Sequence, residues 1–281
     1  MEITHNIKEL QKKIEDFDRK KLLIGFVPTM GALHPGHISL IHQAKEENNI
    51  VVCSIFVNPT QFNNPADLEK YPRMPEKDIE MLEKAGCNIV FLPAKNEVYP
   101  EPDNTNYDFG SLENVLEGKF RPGHFKGVGM VVKRLFEIVK PHNSYFGLKD
   151  YQQFLVIKKL VEQFNIPVKV VGCPTIREND GLAMSSRNLR LSYEQRKAAP
   201  LIYESLKYIK NNFDEQSLNA WKKWFIDTIN NNPFLEVEYV EIVDAETLQK
   251  IDIDKKESDK VICVAVFAGD IRLIDNVLIN Y

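Results

Sequence analysis

The sequence predicts an α/β fold, a doubly wound, Rossmann-like parallel sheet followed by a smaller α+β domain, and three observations carry that expectation. Short apolar runs of strand length alternate with longer stretches of helical period up to about residue 173. Those runs are apolar on successive residues, as strands covered on both faces are, and repeated β–α units of this kind form parallel sheets between two helix layers. After about Arg187 the order changes to helices followed by strands, and in–out alternation appears. The boundary is expected near residue 175, dividing the chain into 1–175 and 176–281.

Composition narrows the function classes. A chain of 281 residues can hold one large or two modest domains with a real core. Hydrophobic content of 43% and charged content of 27% are those of a soluble globular protein. A net charge of −4 without a strong basic run argues against nucleic acid as a partner. No apolar run approaches the roughly 18 residues a membrane span needs. Met1–His5 lacks the basic and apolar regions of a signal peptide, so a cytoplasmic protein is expected. Cys53, Cys87, Cys173 and Cys263 are scattered, mostly in apolar runs, and read as buried free thiols.

The first strand is expected at Leu22–Val27, and the stretch Pro28–Leu40 follows it into a helix starting near Gly36. A strand, a glycine-containing turn and a helix start form an anion site, because unpaired N–H groups and the positive end of the helix dipole converge there. Gly31 and Gly36 allow close backbone approach. His34 and His37, three residues apart, can face one bound group, and imidazole is easily tuned near neutral pH. Two surface histidines beside an ordinary Gly-Pro turn are the plainer alternative.

The second strand, Ile50–Val57, ends in Asn58-Pro59-Thr60-Gln61-Phe62, which puts amides and a hydroxyl at the opening edge of the sheet. Asn-Pro is also a common strand-ending turn. A helix is expected over Glu76–Ala85, stopping at Gly86, and a strand over Asn88–Leu92. Arg121–Val128, rich in cations and glycine, fits an anion clamp or a basic surface turn equally well. Val128–Lys140 is helical by period and stops before Pro141.

Ser144–Phe146 leads through Gly147–Asp150 into a helix over about Tyr151–Phe164. Lys149 at that helix start opposes the dipole, and such a local conflict points to an anionic ligand unless Asp150 simply offsets it. Pro167–Val171 closes the series. Pro174–Asn188 is a polar loop in which Ser185 and Ser186 beside Arg187 make an adaptable phosphate clamp; a lid and a plain linker both fit. Beyond it one long helix is expected over Ser192–Asn211, capped by Ser192, and another over Ser217–Asn230. Strands are expected at Glu236–Val243, Val261–Phe267 and Ile271–Ile279.

Taken together, Pro28–His37, Phe56–Phe62, Arg121–Phe125, Phe146–Gln153, Asp180–Asn188 and the closing Arg272-Leu273-Ile274-Asp275-Asn276 resemble, in order and spacing, the pantoate–β-alanine ligase family of the His-x-Gly-His nucleotidyltransferase superfamily. The resemblance implies ATP-dependent condensation of pantoate with β-alanine to pantothenate, a coenzyme A precursor, through pantoyl adenylate, with release of AMP and pyrophosphate. It assigns ATP contacts to Met30, Gly31, Ala32, Leu33, His34, Pro35, Gly36 and His37, to Gly147, Leu148, Lys149 and Asp150, and to Ile176, Met184, Ser185, Ser186 and Arg187. It assigns pantoate to Gln61 and Gln153, and β-alanine to Gln61, whose amide can both donate and accept. His37, His34 and Lys149 are the implied catalytic residues. Leu148 stands where the family usually has a polar side chain. The resemblance makes the Pro174–Asn188 loop the counterpart of the mobile Lys-Met-Ser-Lys-Ser loop of class I synthetases. Mg²⁺ is expected to arrive with ATP; no dedicated carboxylate cage is visible, and no metal ligand is assigned. A homodimer is implied by resemblance alone. The competing readings are a transferase that moves a whole nucleotide, a nucleotide-binding regulatory module and an RNA-charging enzyme.

Overall fold

In the computed structural model, which describes residues 1–63, 65–251 and 259–279, the apolar runs of the first half become parallel strands. Elements in chain order are β1 (Glu2–Thr4), α1 (Ile7–Arg19), β2 (Ile24–Thr29), α2 (Pro35–Glu47), β3 (Ile50–Ile55), α3 (Pro65–Glu69), α4 (Pro75–Lys84) and β4 (Ile89–Phe91). Then come α5 (Lys95–Val98), α6 (Leu116–Phe120), α7 (His124–Val139), β5 (Asn143–Gly147), α8 (Tyr151–Gln163) and β6 (Lys169–Cys173). The sheet order is β1-β4-β3-β2-β5-β6, and every pairing in it is parallel. Phe26, Val27, Val52 and Cys53 on adjacent central strands are fully buried, so both faces of the sheet are covered as their apolar runs require.

This order fixes where a ligand can sit. From β2 the chain winds through β3 and β4 in one direction, and with β5 and β6 it continues on the other side of β2. A doubly wound sheet opens a crevice beyond the carboxyl ends of its strands where the winding reverses. The segment after β2 and the segment after β5 therefore lie side by side.

The second half contains α9 (Tyr193–Ala198), α10 (Leu201–Asn211), α11 (Leu218–Asn230) and the antiparallel sheet β7 (Glu236–Asp244), β8 (Lys260–Ala268) and β9 (Ile271–Ile279). The single helix expected over Ser192–Asn211 is two. Pro200 has no N–H and its ring clashes with a continuing helix, so α9 ends and α10 begins around it. Ser192 caps α9 in a capping box with Gln195, and Ser217 caps α11. Strand β8 alternates cleanly between two cores. Ile262, Val264 and Val266 pack with Trp221 and Phe225 of α11, while Val261, Cys263 and Ala265 join the same buried cluster as Val131 and Leu155 of the first half. All four cysteines are buried and free. Among the described residues no helix is long and apolar enough to cross a membrane.

Candidate active site

The turn after β2 is held by a residue from a distant helix. Gly31 and Ala32 both take left-handed backbone conformations, φ +81 and +50. For a residue with a Cβ that region costs about 1–2 kcal/mol. Asp78 on α4, nearly fully buried, compensates by accepting from the Ala32 N–H at 2.9 Å and the Leu33 N–H at 2.7 Å. The Gly31 N–H goes to Thr29 Oγ1 at 3.2 Å. Asp78 therefore takes two of the backbone donors of the turn on which an anion site is expected, and the His34 and His37 side chains stand at the helix start beside it. Leu33 itself is buried in the core.

His34 is the N-cap of α2, and its Nδ1 accepts from the Gly36 N–H at 3.2 Å. His37 Nδ1 accepts in return from the His34 N–H at 3.4 Å, so two imidazoles form a reciprocal capping box. The network uses both Nδ1 atoms as acceptors and thereby assigns the proton of each ring to Nε2. Ring centroids are 4.1 Å apart. Burial, reinforced by the Lys149 charge, lowers His34 to about 4. Burial, His34 and Lys149 push His37 well below its usual value. At neutral pH both rings are uncharged N–H donors. Gly36 makes room for this packing, since a Cβ there would lie 2.9 Å from the His34 ring.

Beyond β3 a 3₁₀ turn, Pro59–Gln61, is capped by Asn58. Asn58 is buried with every polar group bonded: Nδ2 donates to Gln61 Oε1 at 3.1 Å and the Gly127 carbonyl at 3.0 Å, while Oδ1 accepts from Tyr99 Oη and Thr60 Oγ1. That bond orients the Gln61 amide, whose Nε2 lies 2.9 Å from the weak acceptor Met30 Sδ. His124, at the start of α7, donates from Nδ1 to the Gln61 carbonyl at 2.8 Å; its Nε2 accepts from Arg121 at 3.1 Å, because a guanidinium can only donate. Burial, then Arg121, lowers His124 to about 4. A Cβ on Gly127 would lie 2.3 Å from the Thr60 carbonyl, so only glycine lets α7 pack this close. Next along α7, Val128, Val131, Val132 and Leu135 face the chamber with Phe56 and Phe146. Sequence reasoning missed this wall, since its i, i+3, i+4, i+7 spacing is also that of an ordinary core face.

On the opposite side Lys149 sits in a 3₁₀ turn, Leu148–Asp150, ahead of α8, with its ammonium 3.3 Å from the Asp150 carboxylate. Burial alone would push the Asp150 carboxyl up, but Lys149, Arg187 and Arg121 hold it below the usual range. The segment expected as a loop is an ordered hairpin. Arg177 bridges Ala183, Met184 N–H donates to the Ile176 carbonyl at 3.0 Å, and Gly181 turns at φ +92. Ser185 then caps the 3₁₀ turn Ser186–Arg190, accepting from the Arg187 N–H. Ser186 Oγ lies 3.3 Å from Tyr71 Oη. Arg187 and Arg190 share Asp67 of α3, at 2.8 and 3.0 Å.

One chamber of about 210 Å³ is lined by Met30, His34, Gly36, His37, Gln61, Gly147, Lys149, Asp150, Gln153, Ile176, Met184, Ser185, Ser186 and Arg187. Gly31, Ala32, Leu33, Pro35 and Leu148 do not line it. A second chamber of about 670 Å³ opens past Lys149 and Arg187, rimmed by Lys70, Arg121, Arg190 and Arg272.

A family model described as pantoate-beta-alanine ligase matches residues 2–278. The chain is 49% identical over 277 residues to pantothenate synthetase of Porphyromonas gingivalis, covering 99% of each. It superposes on the crystal structure of pantothenate synthetase from Thermus thermophilus with a TM-score of 0.90 and 40% identity, covering all of both chains. The pantoate-beta-alanine ligase of Francisella tularensis, solved with beta-gamma ATP and beta-alanine, matches with a TM-score of 0.82 and 40% identity, covering 99% of this chain and 97% of that one.

Proposed function

The chain belongs to the pantoate-beta-alanine ligase family, and we propose that the chamber between β2, α7 and the 176–187 hairpin carries out its reaction. The enzyme condenses pantoate with β-alanine in an ATP-dependent ligation that passes through pantoyl adenylate and releases AMP and pyrophosphate. One observation supports the siting above all. Two neutral imidazole donors, an ammonium and the Ser185–Arg187 cluster converge on a chamber whose opposite wall is apolar and carries an oriented amide.

Pantoate combines a dimethyl carbon with hydroxyls and a carboxylate. The valines of α7 with Phe56 and Phe146 suit the dimethyl carbon, and the Gln61 and Gln153 amides suit the polar groups. A pantoate carboxylate oxygen attacks the α-phosphorus of ATP, and the bond to the bridging oxygen of pyrophosphate breaks. His34 and His37 donate Nε2–H to charge developing on the α-phosphate oxygens, and Lys149 balances it. Ser185, Ser186 and Arg187 hold the departing pyrophosphate. The β-alanine amine then attacks the acyl carbon, its C–O bond to AMP breaks, and the amine proton passes to solvent. Asn58 takes one acceptor position of Gln61 Oε1, leaving the second for that amine. No protein nucleophile takes part; the protein contributes orientation and charge stabilisation.

We assign Mg²⁺ to the triphosphate. Such a cation is ligated mainly by phosphate oxygens and water, as Mg²⁺ commonly is on a nucleotide. When bound, it neutralises phosphate charge. From family resemblance we also propose a homodimer, and from the sequence pattern a cytoplasmic location and a domain boundary near residue 175. Mass spectrometry of products from ATP, pantoate and β-alanine, each omitted in turn, tests the reading. AMP and pantothenate should appear only with all three, and transfer of an intact nucleotide to either substrate as the end product would refute it.

A further inference from the structure

The segment Arg272–Asn276 on β9 has no part in the chemistry above, yet it grips the ATP-facing side of the chamber at two points. The buried Asn276 amide Nδ2 donates to the Leu148 carbonyl at 2.9 Å and to the Lys149 carbonyl at 2.8 Å. One amide group thus holds two consecutive carbonyls of a single 3₁₀ turn. That fixes the two peptide units flanking the Lys149 Cα and therefore the direction in which the Lys149 side chain leaves the backbone.

The adjacent Asp275, also buried, receives both guanidinium nitrogens of Arg177 at 2.6 and 2.9 Å. It also accepts the Asn276 backbone N–H at 2.8 Å, which ties its carboxylate to the strand's own main chain. Arg177 opens the hairpin that carries Met184 and Ser185; its guanidinium lies 3.5 Å over the Tyr203 ring and donates to the Gly181 carbonyl. Further back on the same strand, Arg272 pairs with Glu117, at the start of α6. Neither Asp275 nor Asn276 is needed to hold the antiparallel sheet together, which its backbone ladder already does. The Asn276 side chain reaches across to the turn after β5, and the Asp275 side chain holds the first residues of the 176–187 hairpin.

We propose that Asn276 is a positioning residue for Lys149, so that the antiparallel sheet sets the geometry of the adenylation half-reaction. This rests on the reading of Lys149 as an ATP-facing charge. Asn276 touches no substrate and acts only through the turn it holds. The competing account is that Asn276 merely joins the two halves of the fold, in which case both half-reactions suffer together.

A double-mutant cycle separates these accounts. Asn276→Ala, Lys149→Ala and the double variant are compared with the unaltered enzyme for pyrophosphate release at varied ATP and for aminolysis of supplied pantoyl adenylate. Asn276→Ala should lower the adenylation kcat/KM for ATP on the order of tenfold to a hundredfold, as small misplacements of a reacting geometry do. Aminolysis should stay within about twofold, and in the Lys149→Ala background the Asn276→Ala loss should shrink to about twofold, as expected for coupled residues. Asn276→Ser, which keeps one donor, should fall between and covers the case in which the alanine variant does not fold. Normal adenylation by Lys149→Ala would overturn the Lys149 reading and the proposal with it. A Lys149→Ala defect with an undiminished Asn276→Ala loss, or equal losses in both half-reactions, would overturn the proposal alone.

Discussion

On the wall formed by the 58–61 turn and α7, polar side chains bond to one another as neutral groups and are backed by packed apolar residues. On the wall formed by Lys149 and the 185–190 turn, the cations Lys149, Arg187 and Arg190 are instead matched to carboxylates. Asn58 and His124 hold Gln61 in a fixed position, so a ligand meeting its amide finds it already oriented. Arg187 and Lys149 can serve a polyphosphate only by sharing or exchanging Asp67 and Asp150. Partly exposed ion pairs contribute about 0–1 kcal/mol, so that exchange is easy. The first wall is built for shape and the second for charge, and the proposed function asks that charge to change partners.

The histidine pair lies between the walls, and its removal should have the largest effect. His37→Ala deletes an Nε2–H donor beside the charge that develops in adenylation. Loss of one such donor costs about 10²–10³ in rate. The backbone bond it removes, from His34 N–H at 3.4 Å, is weak, so the fold should survive. Rapid-quench measurement of pyrophosphate release checks this, and a folded variant with an unchanged burst would remove His37 from the chemistry.

Gln61→Glu tests the neutral wall. A glutamate can still accept the Asn58 amide, so the turn should hold, but the Nε2–H₂ beside Met30 becomes a negative oxygen, which should repel the pantoate carboxylate if the proposed siting is right. A hydrogen bond to a charged group is worth about 1.5–3 kcal/mol, so pantoate affinity should fall about tenfold to a hundredfold. Calorimetry reads the affinity. Aminolysis of supplied pantoyl adenylate should suffer less, because the carboxylate charge is by then masked as an anhydride. A variant that binds pantoate normally would leave Gln61 as a strand-end residue.

Much of this geometry is legible in the chain itself. Strands apolar on successive residues imply the two-sided sheet, and sheet winding brings the segment after β2 beside Gly147–Asp150. Motif resemblance marks His34, His37, Gln61, Lys149 and Arg187, which do share a chamber. What stays hidden has physical reasons. Asp78 recognises backbone N–H groups 45 residues away, and a backbone donor has no sequence signature. The α7 valines carry the same spacing whether they face a core or a ligand. Charges are visible in a sequence but their partners are not, so Asp67 could not be matched to Arg187. Pro200 is visible, and its power to interrupt a helix outweighs the helical period on either side of it.

His124 offers a sharper view of the neutral wall through pH. Its folded value is about 4 against an ordinary 6.5, so the unfolded chain takes up the proton first. The stability this provides is complete above about pH 6.5 and is lost as pH falls toward 4. Between pH 7 and pH 5 the loss from this residue is about 2 kcal/mol. His124→Asn, which can present an amide N–H near the Nδ1 position toward the Gln61 carbonyl, should be flatter over that interval in urea unfolding. An unchanged slope would mean that His124 is not held neutral in the fold.

The smallest expected effect bears most directly on the charged wall. Burial pushes the Asp67 carboxyl up, but Arg187 and Arg190 hold it below the usual range, so it is ionised and bound to both at neutral pH. If Asp67 stands where a phosphate oxygen would later compete, its charge opposes ATP binding. Asp67→Asn keeps the size and one acceptor while removing the charge, so Arg187 no longer leaves an ion pair when ATP arrives. With the pair worth about 0.2–1 kcal/mol, KM for ATP should fall by up to about fivefold with kcat unchanged. The gain should shrink at high salt, because screening weakens the ion pair that the substitution removes. A rise in KM would carry the opposite lesson. Asp67 would then be holding Arg187 in the place where ATP meets it, and the second wall would be fixed in advance like the first. Steady-state kinetics at low and high salt decide between these outcomes, and Arg190→Ala supplies the control in which Asp67 is left to Arg187 alone.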